Sequence, residues 1–544
     1  MVSFMRLNDV TRKTQLSVDL IKRWGETRLP NGKKLVEMLT YDSIPFWEIV
    51  SVVIALHHLP KALYLYKRPP LFLPRTLTYL RRFKYEMINR RHYPWKVRSH
   101  CWPTNPVFLF LGFQPYIYRD TLYPIVSNMA SDKEISPVSL YEYLPLERSC
   151  KEIAGNQFQS IWQHWDSDVE DRAAKLKKLL RTAIKELKEM AILPQIIKNQ
   201  EESLWLRMKD TFDWLFIAYL PYLINHFALA RHILQNHCPE VIISPDISDP
   251  RNRLYCLLGR LLNIPTLEVQ FGAYGQESLE WQFFLADRIA AWGQTSRVTL
   301  ISHKVPAEKI VLTGSPRHDS MVSVSSSEVA QIRLRLGIAD GVLLVLFAST
   351  YLSVDNKIGD PSLIDSAKRS VFQAADQIDG ISLVVKPHPN EKTGATKKLA
   401  SGLRNILFVD KDRDIRELIR ACDVFISLGS TSTVDAIIAN KLVICPSFPG
   451  WVWSDVFIGS GAILVPRSEE ELFKCFKIMK DSERQKIIAD LEPARQRFLR
   501  DWIFKVDGQA SDRIKHLLLD MSRNRKSAAE VTVNGLKGQE DVCI

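Results

Sequence analysis

Short, unbroken apolar runs, each followed by a stretch with helical spacing, dominate the second half of this sequence. The runs "VLLVLFA", "ISLVVK", "DVFISL" and "LVICP" lack the alternation of apolar and polar residues that marks a half-exposed strand. Strands that are apolar throughout are buried on both faces, which is typical of parallel sheets covered by helices. The sequence therefore predicts a doubly wound α/β domain over residues 326–521.

The first half repeats this pattern less regularly from residue 106. The segments "VFLFLGF", "VSLYEYL", "VIISPD", "TLEVQFG" and "RIAAWG" predict the strands of a second α/β domain over residues 106–325. A helical insertion is expected at about 149–236, because "DRAAKLKKLLRTAIKELKEMA" places apolar residues at helical spacing with lysines opposite. A segment rich in Ser, Gly and Pro, residues 305–338, suits a hinge between the domains.

The two ends of the chain have different compositions. Residues 1–105 predict a helical region rich in basic and aromatic residues, and the polar residues 522–544 predict a disordered tail. No apolar signal region follows the first basic residues, and Glu48, His57, His58 and Lys61 interrupt the most hydrophobic segment. A cytoplasmic protein is expected.

Part of the net charge of +12 is concentrated from Arg75 to Arg98, a segment that contains eight Lys or Arg residues and one acidic residue. Aromatic residues are interleaved with these cations, which suits an anionic membrane surface or an acidic acceptor. A solvated helical face is the plainer interpretation. No nucleic-acid-binding motif stands beside this segment, so nucleic acid is not expected as a partner. The segment predicts a peripheral position on the inner face of the cytoplasmic membrane.

Polar side chains follow the predicted strands of the second domain. Ser349 and Thr350 follow the first strand, His388 follows the second between Pro387 and Pro389, and "GSTSTVDAI" follows a later one. Because the carboxyl ends of parallel strands meet at one edge of a sheet, we expect these groups to lie near each other. The last segment supplies four consecutive hydroxyl groups at a helix start: Ser430, Thr431, Ser432 and Thr433.

These residue types favour a phosphate ligand. The unpaired N–H groups and the dipole of a helix start attract an anion. One hydroxyl group is enough to cap a helix, so four in succession indicate a ligand as well. The prolines on both sides of His388 restrict the backbone, so that the imidazole is held outward. There it would stabilise the charge that develops on a departing nucleoside diphosphate.

Three motifs resemble a known group of enzymes. "TGSPRHDSM", "VVKPHPNE" and "DVFISLGSTSTVDAIIANKLVICPS", in this order, are similar to the nucleotide-dependent GT-B transferases of bacterial surface-carbohydrate synthesis. The closest motif order is that of the CDP-glycerol glycerophosphotransferase and capsule polysaccharide group, and the likeness covers roughly residues 241–513. It implies two Rossmann-like domains facing across a cleft, and an enzyme that needs no metal or other cofactor. The implied partners are a nucleotide-sugar or CDP-glycerol-type donor and a polysaccharide or lipid-linked acceptor.

The resemblance also implies roles for individual residues. His388 is the expected catalytic group at the leaving phosphate. The expected donor-phosphate contacts are Ser349, Thr350, Ser430, Thr431, Ser432, Thr433 and Arg317. The expected ribose or base contacts are Glu391, Asp435 and Lys386, and the expected acceptor-side residues are Gln114, Arg119, Asp246 and Gln270.

One position departs from the family pattern. Many relatives carry a histidine where this chain has Phe271, between Gln270 and Gly272, and phenylalanine cannot accept a proton. If that histidine is the acceptor base in relatives, its role here passes to Glu277, with Glu268 and Asp246 as alternatives.

Three other functions compete with the transferase. Asp410, Asp412 and Asp414 fit the DxD pattern of metal-dependent transferases. However, Asp414 is also placed to cap the helix that follows, and Asp410 and Asp412 fit a solvated loop. A nucleotide-sugar 2-epimerase has the same fold and differs only in its chemistry. A non-catalytic, membrane-associated scaffold is the third alternative, and Phe271 is its main support.

The membrane prediction is testable with four substitutions. Replacing Arg81, Arg82, Arg90 and Arg91 by Gln should weaken binding to anionic liposomes, and the wild-type binding should fall as salt is raised. Co-sedimentation with phosphatidylserine vesicles, with phosphatidylcholine vesicles as control, measures both effects. Unchanged sedimentation of the variant would leave this segment an ordinary solvated face.

Overall fold

Two parallel sheets organise the chain, and each is covered by helices on both faces. The computed structural model describes residues 7–64, 102–142, 157–198, 202–273, 278–322, 325–350, 361–389, 391–449, 455–480 and 483–540. The segment from Arg75 to Arg98 and Glu277 lie outside the described residues.

The N-terminal region packs onto the first α/β domain. It contains helices Leu7–Glu26, Leu35–Met38, Phe46–Val53 and Leu59–Tyr64, a π-helical turn Ile54–His58, and the antiparallel strands β1 (Thr40–Tyr41) and β2 (Ile44–Pro45). Its buried side chains, such as Trp47, share one core with Phe227 and Leu109 of the first domain. The buried guanidinium of Arg253 also donates to the Glu48 carbonyl at 3.1 Å. The N-terminal helices therefore form one wall of that domain.

The first sheet has seven parallel strands in the order β5-β4-β3-β6-β7-β8-β9. In chain order they are β3 (Val107–Leu111), β4 (Ser136–Tyr141), β5 (Gln157–Ser160), β6 (Val241–Ser244), β7 (Thr266–Val269), β8 (Arg288–Ala291) and β9 (Ile310–Leu312). All five strands that the sequence predicts here are confirmed. β5 lies inside the segment predicted as a helical insertion, and β9 lies inside the predicted hinge, so both predictions were wrong at these strands.

Helices cover the faces of this sheet. They are Pro115–Ile117, Tyr123–Met129, Ser167–Glu189, Ile192–Lys198, Glu202–Trp214, Leu220–His237, Pro250–Leu261 and Gln294–Ser302, with π-helical turns Tyr118–Leu122 and Leu215–Tyr219 and 3-10 turns Ile161–His164, Leu279–Phe283, Ala307–Lys309 and Pro316–Met321. Acidic caps begin two of them: the Asp166 side chain accepts from the Val169 N–H at 2.9 Å, and Asp249 accepts from the Arg251 N–H at 2.9 Å.

The second sheet has five parallel strands in the order β12-β11-β10-β13-β14. They are β10 (Leu343–Ala348), β11 (Ile381–Lys386), β12 (Ile406–Phe408), β13 (Val424–Ser427) and β14 (Leu442–Ile444). Four of them, β10, β11, β13 and β14, coincide with the apolar runs identified in the sequence, and an isolated bridge joins Ile444 to Leu464. The helices are Ser326–Arg335, Pro361–Asp376, Thr393–Leu399, Ile415–Ala421, Ser432–Ile438, Asp455–Ile458, Glu469–Lys480, Arg484–Trp502 and Ala510–Glu540. The predicted fold class, two doubly wound α/β domains, is confirmed.

The last helix returns to the first domain. Ile514, Leu518 and Met521 are buried in one cluster with Phe108 and Ile243 of the first sheet. Residues 510–521, which the sequence assigns to the second domain, therefore belong to the core of the first, because their apolar face covers that sheet.

The predicted disordered tail also requires correction. The Ser522 hydroxyl donates to Glu240 at 2.7 Å and Lys526 pairs with Glu240 at 3.0 Å, so the first residues of the tail are anchored to the first domain. The helix continues to Glu540.

Within the part of the chain that the structure describes, no helix combines the length and the apolar character needed to span a bilayer.

The returning helix yields a stability prediction. Leu518→Ala should lower the free energy of unfolding by about 2–5 kcal/mol, because it leaves a cavity in a filled core. Urea denaturation followed by tryptophan fluorescence measures the change. Leu334→Ala is the matched control, because Leu334 is 79% exposed and the same truncation there should stay within about 0.5 kcal/mol of wild type. Equal effects of the two substitutions would contradict the assigned packing.

Candidate active site

The carboxyl ends of the two sheets contact each other across a cleft. The Tyr116 hydroxyl, in the short helix Pro115–Ile117 after β3, donates to Asp412 Oδ1 at 2.8 Å, and Arg119 Nη1 donates to the Asp412 carbonyl at 3.1 Å. Arg416 of the second domain pairs with Asp120 of the first at 3.3 Å. The loops that follow the strands of both sheets therefore face one shared space.

The second sheet has its topological switch point between β10 and β13. From β10 the chain adds β11 and then β12 on one side, and it then returns to add β13 and β14 on the other. Ligands of open parallel sheets bind in the crevice at such a point. Ala348, at the end of β10, pairs with both Lys386 and Ser427. The loops carrying His388 and the hydroxyl cluster thus leave the same edge, on strands two spacings or about 10 Å apart.

The loop that carries His388 is held by Glu391. The Glu391 carboxylate accepts from the His388 backbone N–H at 3.0 Å, from Ser349 Oγ at 2.9 Å and from Lys368 Nζ at 2.6 Å. It also accepts from the Thr396 hydroxyl. These four donors show that Glu391 holds the loop, and its contact with a ribose stays a prediction. Ser349, predicted at a phosphate, is engaged with Glu391 by the same bond.

The His388 imidazole is half-buried at the edge of the sheet. Burial, followed by the charge of Lys386, lowers its pKa. At neutral pH the ring is therefore mostly uncharged, and it can donate one ring N–H to an anionic ligand.

Two of the four clustered hydroxyl groups reach the surface at the edge, and one of them, that of Ser430, accepts from the Ser432 N–H at 3.3 Å. Ser430 and Thr431 are partly exposed, as is Thr350 at the neighbouring strand end. Thr433 is fully buried and its hydroxyl bonds to that of Ser427 at 2.8 Å. Ser432 is also buried, with its Oγ 3.4 Å from Arg317 Nη2. Gly429, with φ of 97°, makes the turn into this segment in a backbone conformation that suits glycine.

Arg317 and Asp435 bind each other. Arg317 Nε donates to the two Asp435 oxygens at 2.9 and 3.0 Å, and Nη2 makes a further bond to the same carboxylate. Burial alone would lower the pKa of Arg317, but Asp435 outweighs it and raises that pKa, so the guanidinium stays charged. In the structure each of these side chains is engaged by the other, and the contacts of Arg317 with a phosphate and of Asp435 with a ribose stay predictions. It joins the turn Pro316–Met321 to the helix Ser432–Ile438.

His318 is a buried residue beside this pair that sequence reasoning did not single out. Its Nε2 lies 3.4 Å from Asp435 Oδ1, and its ring packs edge-on against Trp292. Burial, followed by the charges of Arg317 and Arg416, lowers its pKa well below the usual value, so the ring is neutral. Its place in the "TGSPRHDSM" motif was the available signal.

Lys386 lies at the end of β11, close to the first domain. Its ammonium donates to the Lys411 carbonyl at 2.7 Å and to the Pro387 carbonyl at 3.2 Å. Burial, followed by the charge of Arg119, lowers its pKa to about 8. It therefore remains mainly protonated at pH 7, next to the loop of His388.

On the first-domain side, the structure brings two predicted acceptor residues together. Gln114 Nε2 donates to Asp246 Oδ2 at 2.6 Å and to Asp249 Oδ2 at 3.2 Å. All three line a cavity of about 350 Å³. Burial, together with the charge of Asp249, raises the pKa of Asp246.

The structure places the other predicted acceptor-side residues in contacts within the protein. Arg119 contacts Asp412 of the second domain. Gln270 is fully buried and braces Trp292, because its Oε1 accepts from the Trp292 N–H at 2.8 Å. Glu268, an alternative base, is buried in β7, and burial raises its pKa well above the usual value.

The DxD alternative is not favoured by the contacts of its three carboxylates. Asp414 caps a helix by accepting from the Arg416 N–H at 2.9 Å, as its sequence position predicts. Burial would raise its pKa, but Arg416 outweighs this and lowers it to about 2. Asp410 accepts from the Asp412 N–H at 2.9 Å, and Asp412 accepts from Tyr116. Among the described residues, no three His, Cys, Asp or Glu side chains form a group that suits a metal ion.

Two doubly wound domains that meet at the carboxyl ends of their parallel sheets define the GT-B class of fold. Within the chain, residues 288–435 match the model of the family described as CDP-Glycerol:Poly(glycerophosphate) glycerophosphotransferase. This range runs from β8 to the helix Ser432–Ile438, covers little more than a quarter of the chain and includes both loops of the switch point. The match supports an enzyme of the transferase class.

Several solved structures are similar to this chain at low identity. A UDP-GlcNAc 2-epimerase from Neisseria meningitidis, bound to UDP-GlcNAc, is 13% identical over 76% of this chain and 99% of its own, with a TM-score of 0.49. A glycosyltransferase from Rickettsia africae is 13% identical over 77% and 99%, with a TM-score of 0.45. Anabaena HepE, in complex with UDP and glucose, is 12% identical over 76% and 100%, also with a TM-score of 0.45. These TM-scores are too low to carry a conclusion. A comparison with curated protein sequences finds no match.

The pair of Arg317 and Asp435 yields a testable prediction. Arg317→Met leaves a buried carboxylate without its partner, which should lower the free energy of unfolding by about 3–5 kcal/mol. The double variant Arg317→Met/Asp435→Leu should recover most of this loss, because it removes both charges. Chemical denaturation measures both.

The matched control is Arg523→Met, which removes an arginine that is 75% exposed and paired with Asp520. That substitution should cost less than about 1 kcal/mol. If Arg317→Met lowered the free energy of unfolding by no more than Arg523→Met does, the result would contradict a buried ion pair between Arg317 and Asp435.

Proposed function

We propose that this protein is a GT-B transferase that moves a glycosyl group, or a glycerol phosphate group, from a nucleotide-activated donor to a surface polysaccharide or a lipid-linked acceptor. One observation carries the proposal: the match to a glycerophosphotransferase family falls on the segment that builds the switch point of the second sheet. That segment supplies the loops of His388 and of Ser430 and Thr431, whose chemistry suits a diphosphate.

In this proposal the donor diphosphate lies across the end of β10. The His388 imidazole donates an N–H from one side, and the hydroxyl groups of Ser430 and Thr431 donate from the other. Thr350 lies at the same edge, and Lys386 supplies a positive charge nearby. Because these groups are fixed by the fold before the reaction, they stabilise the charge that grows on the departing nucleotide as its bond to the transferred group breaks. We propose that the enzyme needs no metal ion for this step.

The transfer requires an acceptor hydroxyl group from the first-domain side. Its oxygen forms a bond to the transferred group while the bond to the departing nucleotide breaks, and the nucleotide leaves with the electron pair. The leaving group is a nucleoside diphosphate when a glycosyl group is transferred, and a nucleoside monophosphate when a glycerol phosphate group is transferred. The proton of the acceptor passes to a base, for which Glu277 remains the proposed residue. The protein would act in the cytoplasm, with the basic segment from Arg75 to Arg98 against the inner face of the membrane.

The proposal is tested with His388→Ala. Binding of CDP or UDP should weaken by about tenfold or more, because a hydrogen bond to a charged group is lost. Isothermal titration calorimetry with CDP, UDP, GDP and ADP, with and without EDTA, measures this effect and the metal requirement. Once the donor is identified, turnover should fall by a factor of about 10² or more.

His516→Ala, in an exposed position of the last helix, is the matched control and should bind nucleotides as wild type does. Absence of nucleotide binding by the wild-type protein would contradict the transferase and favour the scaffold. Wild-type turnover in folded His388→Ala would remove the proposed role of the imidazole.

A further inference from the structure

The last residue of β11, Lys386, contacts two loops at the candidate donor edge. Its ammonium donates to the Pro387 carbonyl at 3.2 Å and to the Lys411 carbonyl at 2.7 Å. Pro387 directly precedes His388, and Lys411 belongs to the loop after β12, the strand next to β11. One buried side chain, only 7% exposed, therefore links the loop of the imidazole to the loop of the neighbouring strand.

The loop after β12 is a part of the second domain that contacts the first domain. The Asp412 carboxylate accepts from the Tyr116 hydroxyl of the first domain at 2.8 Å. The Asp412 N–H donates to Asp410 Oδ1 at 2.9 Å, which closes a turn around Lys411. By holding the Lys411 carbonyl, Lys386 helps to fix the turn that presents Asp412 to the other domain.

Both acceptors of the ammonium are carbonyl groups without a net charge. Burial, followed by the charge of Arg119, lowers the pKa of Lys386 to about 8. The carboxylates of Asp120, Asp412 and Asp414 act in the opposite direction but do not compensate for this effect. An anionic ligand at the edge would add negative charge and would accept a stronger hydrogen bond than a carbonyl group does. The buried ammonium is therefore placed to favour an anion while it holds the two loops.

In the part of the chain that the structure describes, Lys386 is the group of this edge whose charge changes between pH 7 and pH 9. The charged groups that face it are Arg119 and Asp120 of the first domain, and Asp412 and Asp414 of the loop after β12. Carboxylates and arginines keep their charges throughout this range. Burial lowers the pKa of His388, so its ring is already mostly neutral at pH 7, and burial with the Asp412 hydrogen bond raises the pKa of Tyr116, which stays neutral.

We infer that Lys386 is a positioning residue of the donor edge, whose ammonium links the His388 loop to the loop after β12 and whose charge favours an anionic donor. The inference rests on the proposed transferase function and adds a form of regulation to the same site, since donor binding should weaken in alkaline solution. The link between the two loops exists without a donor and is tested separately.

Titration calorimetry with CDP and UDP at pH 7, 8 and 9 tests the role of the charge. For the wild-type protein the Kd should rise about three- to tenfold over this range, because the nucleotide phosphates are already ionised while Lys386 loses its proton. Lys386→Arg stays charged at pH 9, so its affinity should not change with pH. Lys386→Met should bind weakly at each pH, and Lys411→Met, the same change at an exposed neighbour, should behave as wild type does.

Hydrogen exchange at pH 7 tests the link between the loops without any nucleotide. The backbone N–H groups of Asp412 and Arg413 both donate to Asp410. They should exchange about tenfold faster in Lys386→Met than in the wild-type protein, because the turn loses the bond that holds it. Lys411→Met should exchange as wild type does.

Three results would overturn the inference. They are unchanged exchange in Lys386→Met, a wild-type affinity that stays constant from pH 7 to pH 9, and an equal loss of affinity over this range in Lys386→Arg. If nucleotides bind and one of these results is found, only this inference fails. If no nucleotide binds, the proposed transferase fails, and the exchange experiment alone decides whether Lys386 links the two loops.

Discussion

One buried carboxylate, that of Glu391, determines the shape of the candidate donor site. It draws together the backbone of the His388 loop, the end of β10 through Ser349, and the helices that carry Lys368 and Thr396. Because four donors converge on one group, the loop is fixed before any ligand arrives. An imidazole that is already in position loses little conformational freedom on binding, and this preorganisation is what electrostatic stabilisation of a leaving group requires.

Ion pairs join the two domains. Arg317, in a turn that follows the first sheet, is bound to Asp435 in the second domain and lies 3.9 Å from Asp120 of the first. Arg416 also reaches Asp120. These contacts join the two domains at the carboxyl ends of their sheets.

Most strands of the two sheets could be predicted from the sequence, because a strand that is buried on both faces consists mainly of apolar residues. β5, with the sequence "QFQS", contains a single apolar residue, and the short strand β9 lies in a segment whose Ser, Gly and Pro content suggested a hinge. The edge that carries His388 and Ser430 was also predictable, since it follows from strand order alone. The engagement of Arg317 with Asp435, and of Gln270 with Trp292, was not. An arginine or an amide suits a ligand and a buried partner equally well, and only the folded distance decides between them.

The return of the last helix to the first domain has a consequence for synthesis. Phe108 and Ile243 emerge from the ribosome hundreds of residues before Leu518, which covers them in the finished protein. During translation the first sheet therefore keeps an uncovered apolar strip while the whole second domain is made. The nascent chain would expose this strip to chaperones until its final helix closes over it.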